Sequence, residues 1–150
     1  MTVLSMRWFL FAAVCLLPFA FGCDRGPKTY PVSGLVSFPD GTPLSSGFVE
    51  LVPKAGGASG RGSIGKDGKF VIGTFESADG AMEGHYDVLV VQHISPATRR
   101  MARKLGDVHK DHDKTNRVVA KKYSSRSSSD LECTVKPIEE NHFDFKVEPN

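Results

Sequence analysis

The chain has 150 residues, 24% of them charged, and its 19 Lys and Arg against 17 Asp and Glu leave a formal charge of +2. That length holds one domain with a real core and not two comfortable ones. Of the three cysteines, Cys15 and Cys23 lie in an apolar N-terminal segment and only Cys133 lies beyond it, which excludes a disulfide-stapled scaffold.

Arg7 is followed by fourteen mostly apolar residues, Trp8 to Phe21, ending on Gly22 and Cys23. A bilayer-spanning helix needs about 20 apolar residues. This run is shorter and is interrupted by Pro18, so residues 1–22 read as a cleaved export signal. The segment Phe19-Ala20-Phe21-Gly22-Cys23 resembles a bacterial lipobox, in which signal peptidase II cuts before a cysteine whose thiol has been diacylated. The resemblance makes Cys23 the lipidation site. Residues 23–29 (Cys-Asp-Arg-Gly-Pro-Lys-Thr) are mostly polar and broken by Gly26 and Pro27, the composition of a tether.

From Tyr30 onward short strands alternate with turn chemistry. Val32, Gly34, Val36 and Phe38 alternate with Ser33, Leu35 and Ser37 and stop at Pro39-Asp40-Gly41, a strong turn signal. Gly47 to Pro53 contains only one charge, Glu50, and is expected to be covered on both faces. Arg61 to Gly65 and Phe70 to Phe75 flank Lys66-Asp67-Gly68-Lys69, whose Asp-Gly centre predicts a hairpin. Tyr86 to Val91 is the most apolar run and is expected to be a central strand. In Leu131 to Lys136, Leu131, Cys133 and Val135 share one strand face, which makes Cys133 a small buried hydrophobe. Phe143, Phe145 and Val147 alternate with His142, Asp144 and Lys146 in the same way. Seven short strands punctuated by Gly and Pro predict an all-β sandwich spanning residues 30–150.

Several of these segments together resemble the carboxypeptidase regulatory-like, transthyretin-like domain. They are Tyr30 to Phe38, the turn Asp40-Gly41-Thr42-Pro43-Leu44, Gly47 to Pro53, the turn Asp67-Gly68-Lys69-Phe70 and Gly84 to Val90. The closer resemblance is to small lipoproteins of planctomycete bacteria that carry this domain. Their Lys-Tyr, Ser-rich and Asn-x-Phe-x-Phe features correspond to Lys122-Tyr123, Ser124 to Leu131 and Asn141 to Phe145. The resemblance implies a seven-stranded transthyretin-like or Ig-like sandwich held in the cell envelope, facing the periplasm or the exterior. It supplies no catalytic residues and no cofactor.

The other motifs carry no chemistry. Gly60-Arg61-Gly62-Ser63-Ile64-Gly65 matches G-x-G-x-x-G, but Lys66-Asp67-Gly68 follows where a dinucleotide site needs a helix. Asp111, Asp113 and Thr115 mimic the start of an EF-hand loop, yet Asn116 replaces its Gly and Lys122 its bidentate Glu. His109, Asp111, His112 and Asp113 have metal-ligating side chains, but a solvated polar loop accounts for them and no metal is expected. No serine is singled out as a nucleophile, so the chain is not expected to be an enzyme.

Charge is distributed unevenly. Between Arg99 and Arg126 stand ten Lys or Arg against three Asp, while the rest of the chain beyond residue 22 has eight basic and fourteen acidic residues. A basic insertion, residues 95–122, is thus expected on an acidic sandwich. Ser95 as cap, Pro96 and Gly106 predict a short helix, with Ala97, Met101, Leu105 and Val108 on one face. Arg99, Arg100, Arg103 and Lys104 take the opposite face and are the candidate polyanion-binding residues. The functional expectation is a non-enzymatic, lipid-anchored envelope module. Its expected partners are the membrane, through the N-terminal lipid, and envelope proteins or anionic surface polymer, with no nucleic acid. The alternative is an accessory domain that binds carbohydrate or metal.

Overall fold

In a computed structural model, residues 26–93 and 117–150 are described; Cys23 and the expected helix over 95–106 lie outside them. The protein is all-β, and helix among the described residues is limited to a 3-10 turn, Lys121–Ser124. Among the described residues nine strand segments appear where seven were expected: β1 Thr29–Tyr30, β2 Val32–Ser37, β3 Phe48–Pro53, β4 Gly60–Ser63, β5 Lys69–Val71, β6 Ala81–Met82, β7 Gly84–Val91, β8 Glu132–Val135 and β9 Asn141–Lys146. They form a three-stranded sheet in the order β5-β2-β9, a four-stranded sheet β4-β3-β7-β8, and a two-residue ladder of β1 with β6.

Period-2 alternation builds the core. Val32 and Val36 of β2 and Phe145 of β9 turn inward from one sheet, and Val49, Leu51, Val88, Val90 and Val135 from the other, into a single cluster. Tyr86 fills the same core, and its hydroxyl donates to the Met82 carbonyl at 2.8 Å. β7 lies inside its sheet, between β3 and β8, as its apolar run predicts. Cys133 is buried, and burial pushes its thiol up to about 12, so it packs as a hydrophobe and is unreactive at neutral pH.

Two expectations need correction. The turn around Asp67-Gly68 forms, with the Gly65 amide donating to the Lys69 carbonyl at 2.8 Å, but its arms enter different sheets. A bridge between Arg61 and Gly73 is all that joins β4 to β5 as a ladder, so the turn stitches two sheet edges rather than closing a hairpin. The second arm also ends as a strand at Val71, leaving Phe75 in a loop. β3 is covered on both faces, as expected: Val49 and Leu51 are buried on one, and Phe48, Glu50 and Val52 are mostly shielded on the other. Part of that cover is a side chain, because the Arg61 guanidinium lies 4.0 Å over the Phe48 ring and pairs with Glu50 at 3.1 Å.

β2 and β9 run parallel, in register from Val32↔Asn141 to Ser37↔Lys146. The approach is close enough that a Cβ on Gly34 would fall on the Phe143 carbonyl oxygen, so this position accepts glycine alone. The strand registers give the domain two ends. Pro31, Pro53, Gly60, Gly84, Lys136 and Asn141 mark the end where the tether arrives, and Ser37, Phe48, Ser63, Lys69 and Val91 mark the other. A six-residue strand such as β2 separates them by about 20 Å.

Phe145 is 6% exposed and its ring stacks on Phe70 with centroids 5.8 Å apart, whereas Asp144 faces water. Phe145→Ala is expected to cost about 3–5 kcal/mol, and Asp144→Ala little. Denaturant titration of the two variants checks the assignment, which equal losses would overturn.

Candidate functional site

The residues singled out for lipidation and polyanion binding, Cys23 and Arg99, Arg100, Arg103 and Lys104, lie outside the described residues, as do His109, Asp111, His112 and Asp113. The two points between which the basic insertion runs are described. His93 and Arg117 stand at the far end of the domain, opposite the tether, and the Gln92 side chain fastens them together. Its Nε2 donates to the Arg117 carbonyl and its Oε1 accepts the Val119 amide, both at 2.9 Å. The Arg117 guanidinium pairs with Asp40 at 2.8 Å, which anchors this base to the turn after β2.

Beyond Arg117 the insertion becomes part of the fold. Val119 is 6% exposed and bridges to Pro149, and the Ala120 amide donates to the Glu148 carbonyl. Tyr123 enters the core from the 3-10 turn, and its hydroxyl accepts the Glu148 amide at 3.3 Å. Of the insertion expected over residues 95–122, residues 117–122 are therefore built into the sandwich. Their cations are also engaged. Lys122 meets Asp130 at 3.0 Å and Glu148 at 3.2 Å, and these carboxylates, Asp130 foremost, hold its ammonium above the usual lysine range. Arg126 pairs with Asp87 at 2.7 Å, next to Lys54, which also reaches Glu132.

The parallel register of β2 and β9 creates one constellation that sequence inspection did not find. Ser33 Oγ lies 3.2 Å from His142 Nδ1, and His142 Nε2 lies 3.3 Å from Asp144 Oδ1. Pairing of Ser33 with His142 puts both on the outer face of the sheet, and period 2 adds Asp144. The order is that of a nucleophile, base and orienting acid. However, the Ser33 hydroxyl also donates to Glu140 at 3.1 Å, and the His142 and Asp144 side chains are more than half exposed. Charge developing there would meet water rather than fixed donors in a dry pocket, which is where electrostatic catalysis draws its strength.

The Gly60 to Gly65 motif is β4 running into a turn, with no helix after it. Its glycines admit the second sheet: a Cβ on Gly60 would strike Ile72, and one on Gly62 the Val71 carbonyl. An open groove of about 480 Å³ follows this seam, bordered by Arg61, Ser63, Lys69, Val71 and Glu76. Among the described residues no group of three His, Cys, Asp or Glu side chains comes together to hold a metal ion. Comparison with protein-family models, with curated proteins and with solved structures finds no match for this chain.

The loop after β5 is built around Asp79. Its carboxylate accepts the amides of Thr74 at 2.6 Å and Phe75 at 3.1 Å, while Thr74 Oγ1 donates to the Gly80 carbonyl at 2.7 Å. Burial pushes the Asp79 carboxyl up, but the amides of Thr74, Phe75 and Glu76 outweigh it and leave the group below the ordinary carboxylate range. Asp40, held down first by the Thr42 amide, and Asp67, by the Lys69 amide, are depressed too. A depressed folded-state value means that the ionised form favours folding. The contribution is therefore complete above the unfolded carboxylate range near pH 4 and is lost as pH falls from there through the depressed folded-state values. The denaturation midpoint is expected to drop below about pH 4, and Asp79→Asn to flatten that drop; an unchanged acid limb in the variant would refute the role of Asp79.

Proposed function

We propose that the chain is a non-enzymatic, lipid-anchored module of the bacterial cell envelope, with a transthyretin-like sandwich of the carboxypeptidase regulatory-like type. In this reading β2, β3, β4, β5, β7, β8 and β9 are the seven strands of the sandwich, and the β1–β6 ladder belongs to its tethered end. The observation that carries the proposal is the opposition of the two ends. The tether runs into β1 at one end, and His93 and Arg117, the base of the basic insertion, stand at the other. A lipid on Cys23 would hold the first end toward its membrane and leave the second, with the insertion, directed away from it. The partner is then a protein or an anionic polymer outside that membrane, and Arg99, Arg100, Arg103 and Lys104 make the contact.

Cys23→Ala is expected to abolish fatty-acid labelling and to move the protein from the membrane fraction to the soluble one. Unchanged labelling would refute the anchor. Replacing Arg99, Arg100, Arg103 and Lys104 with Glu is expected to abolish retention on an acidic polysaccharide column while the melting temperature stays nearly constant. Retention of the unmodified protein should weaken steeply with salt, since exposed charges are screened over about 8–10 Å near physiological ionic strength. Retention that survives the reversal would remove these four residues from the partner surface.

A further inference from the structure

Three large apolar side chains stand about half exposed among the described residues: Val71, Phe75 and Ile138, at 52%, 51% and 50%. Their placement is not scattered. Phe75 belongs to the loop after β5 and Ile138 to the loop between β8 and β9, and both loops close the end of the domain where the tether arrives. β2 is the middle strand of its sheet, with β5 on one side and β9 on the other, so Phe75 and Ile138 flank the point where Tyr30–Pro31 leads into it. Val71, paired with Ser33 near the start of β2, lies on the outer face toward the same end.

The loops that carry the two tips are braced. Asp79 ties down the amides of Thr74 and Phe75, with Ala78 held at φ 63°. The Ile138 amide donates to the Lys136 carbonyl at 2.8 Å, and the Asn141 side chain grips Lys136 at the base of that loop. Apolar side chains presented on braced loops lose little conformational freedom when they are covered. Between Cys23 and Thr29 the chain spans at most about 20 Å even when fully extended. A lipid on Cys23 therefore keeps this end close to a bilayer surface.

We propose that the tethered end of the domain rests on the bilayer that holds its lipid, with Phe75 and Ile138 seated in the headgroup–acyl boundary. The inference rests on the lipid-anchor reading. Exposed charge at this end is mixed, Glu76, Glu139 and Glu140 against Lys28 and Lys136, and gives no net attraction to anionic headgroups. The contact is apolar, suits zwitterionic lipid and is insensitive to salt, which is the reverse of the behaviour set by the basic insertion.

The only tryptophan of the chain, Trp8, lies ahead of Cys23, so after signal cleavage single tryptophans report cleanly. Phe75→Trp, Ile138→Trp and, as a control at the opposite end, Lys66→Trp are prepared as the full lipidated protein in phosphatidylcholine vesicles with brominated acyl chains. Emission of the first two is expected to fall by about half, as for rings buried about 5–10 Å into the boundary, at low and high salt alike, while the control is unquenched. If all three remain unquenched in protein that carries fatty acid and sediments with vesicles, the membrane contact is wrong and the anchor stands. A blue shift without quenching, accompanied by faster sedimentation of detergent-solubilised protein, would assign the tips to a second copy and overturn the proposal. Absence of fatty acid on Cys23 would overturn the anchor and the contact together.

Discussion

The fold depends on one buried amide. Asn141 is 4% exposed, and its side chain accepts the Lys136 amide at 2.9 Å, returns a hydrogen bond to the Lys136 carbonyl at 3.0 Å and donates to Pro31 at 3.3 Å, while its own backbone amide reaches Pro31 at 2.9 Å. Pro31 leads into β2, Lys136 follows β8 and Asn141 opens β9. One side chain thus joins the edge of the four-stranded sheet to the middle and the edge of the three-stranded one. Without it, buried backbone groups would lose their partners, a cost of about 1–3 kcal/mol for each. At the opposite side the Arg61–Gly73 bridge does the corresponding work with backbone alone. The two sheets are held edge to edge on both sides, and the core between them is filled from both.

Much of this was legible in the sequence where the cause is local. Alternation in Leu131 to Lys136 and in Phe143 to Val147 fixed which side chains turn inward, because period 2 follows from strand geometry itself. Turn chemistry placed the reversals at Asp40-Gly41 and Asp67-Gly68. It could not say which sheet each arm would join, since that choice depends on long-range pairing. Gln92, Asp79 and Asn141 look like ordinary polar residues in sequence. Their partners lie as far away as Arg117 and Pro31, and only the folded chain shows that they are clamps.

The candidate sites divide along the same line. Cys23 and the cations at 99, 100, 103 and 104 were found from local pattern, and the fold contributes the end of the molecule from which the insertion leaves. Ser33, His142 and Asp144 were invisible for the opposite reason. Three unremarkable surface residues meet because β2 and β9 run parallel and in register. Their setting argues for a solvated polar cluster, and the chemistry of a triad needs more than its order of residues.

The pairing of β2 with β9 has a further consequence for how the protein is made. The first long strand and the last are neighbours, with Val32 beside Asn141 and Ser37 beside Lys146. Contacts so distant in sequence must overcome a large loop-closure entropy before they contribute stability, which slows folding. A chain still being synthesised lacks the strand that completes this sheet until β9, far along the chain from β2, has been added. The three-stranded sheet therefore stays open until β9 has emerged, and β2 must wait for its parallel partner while the rest of the core forms around it.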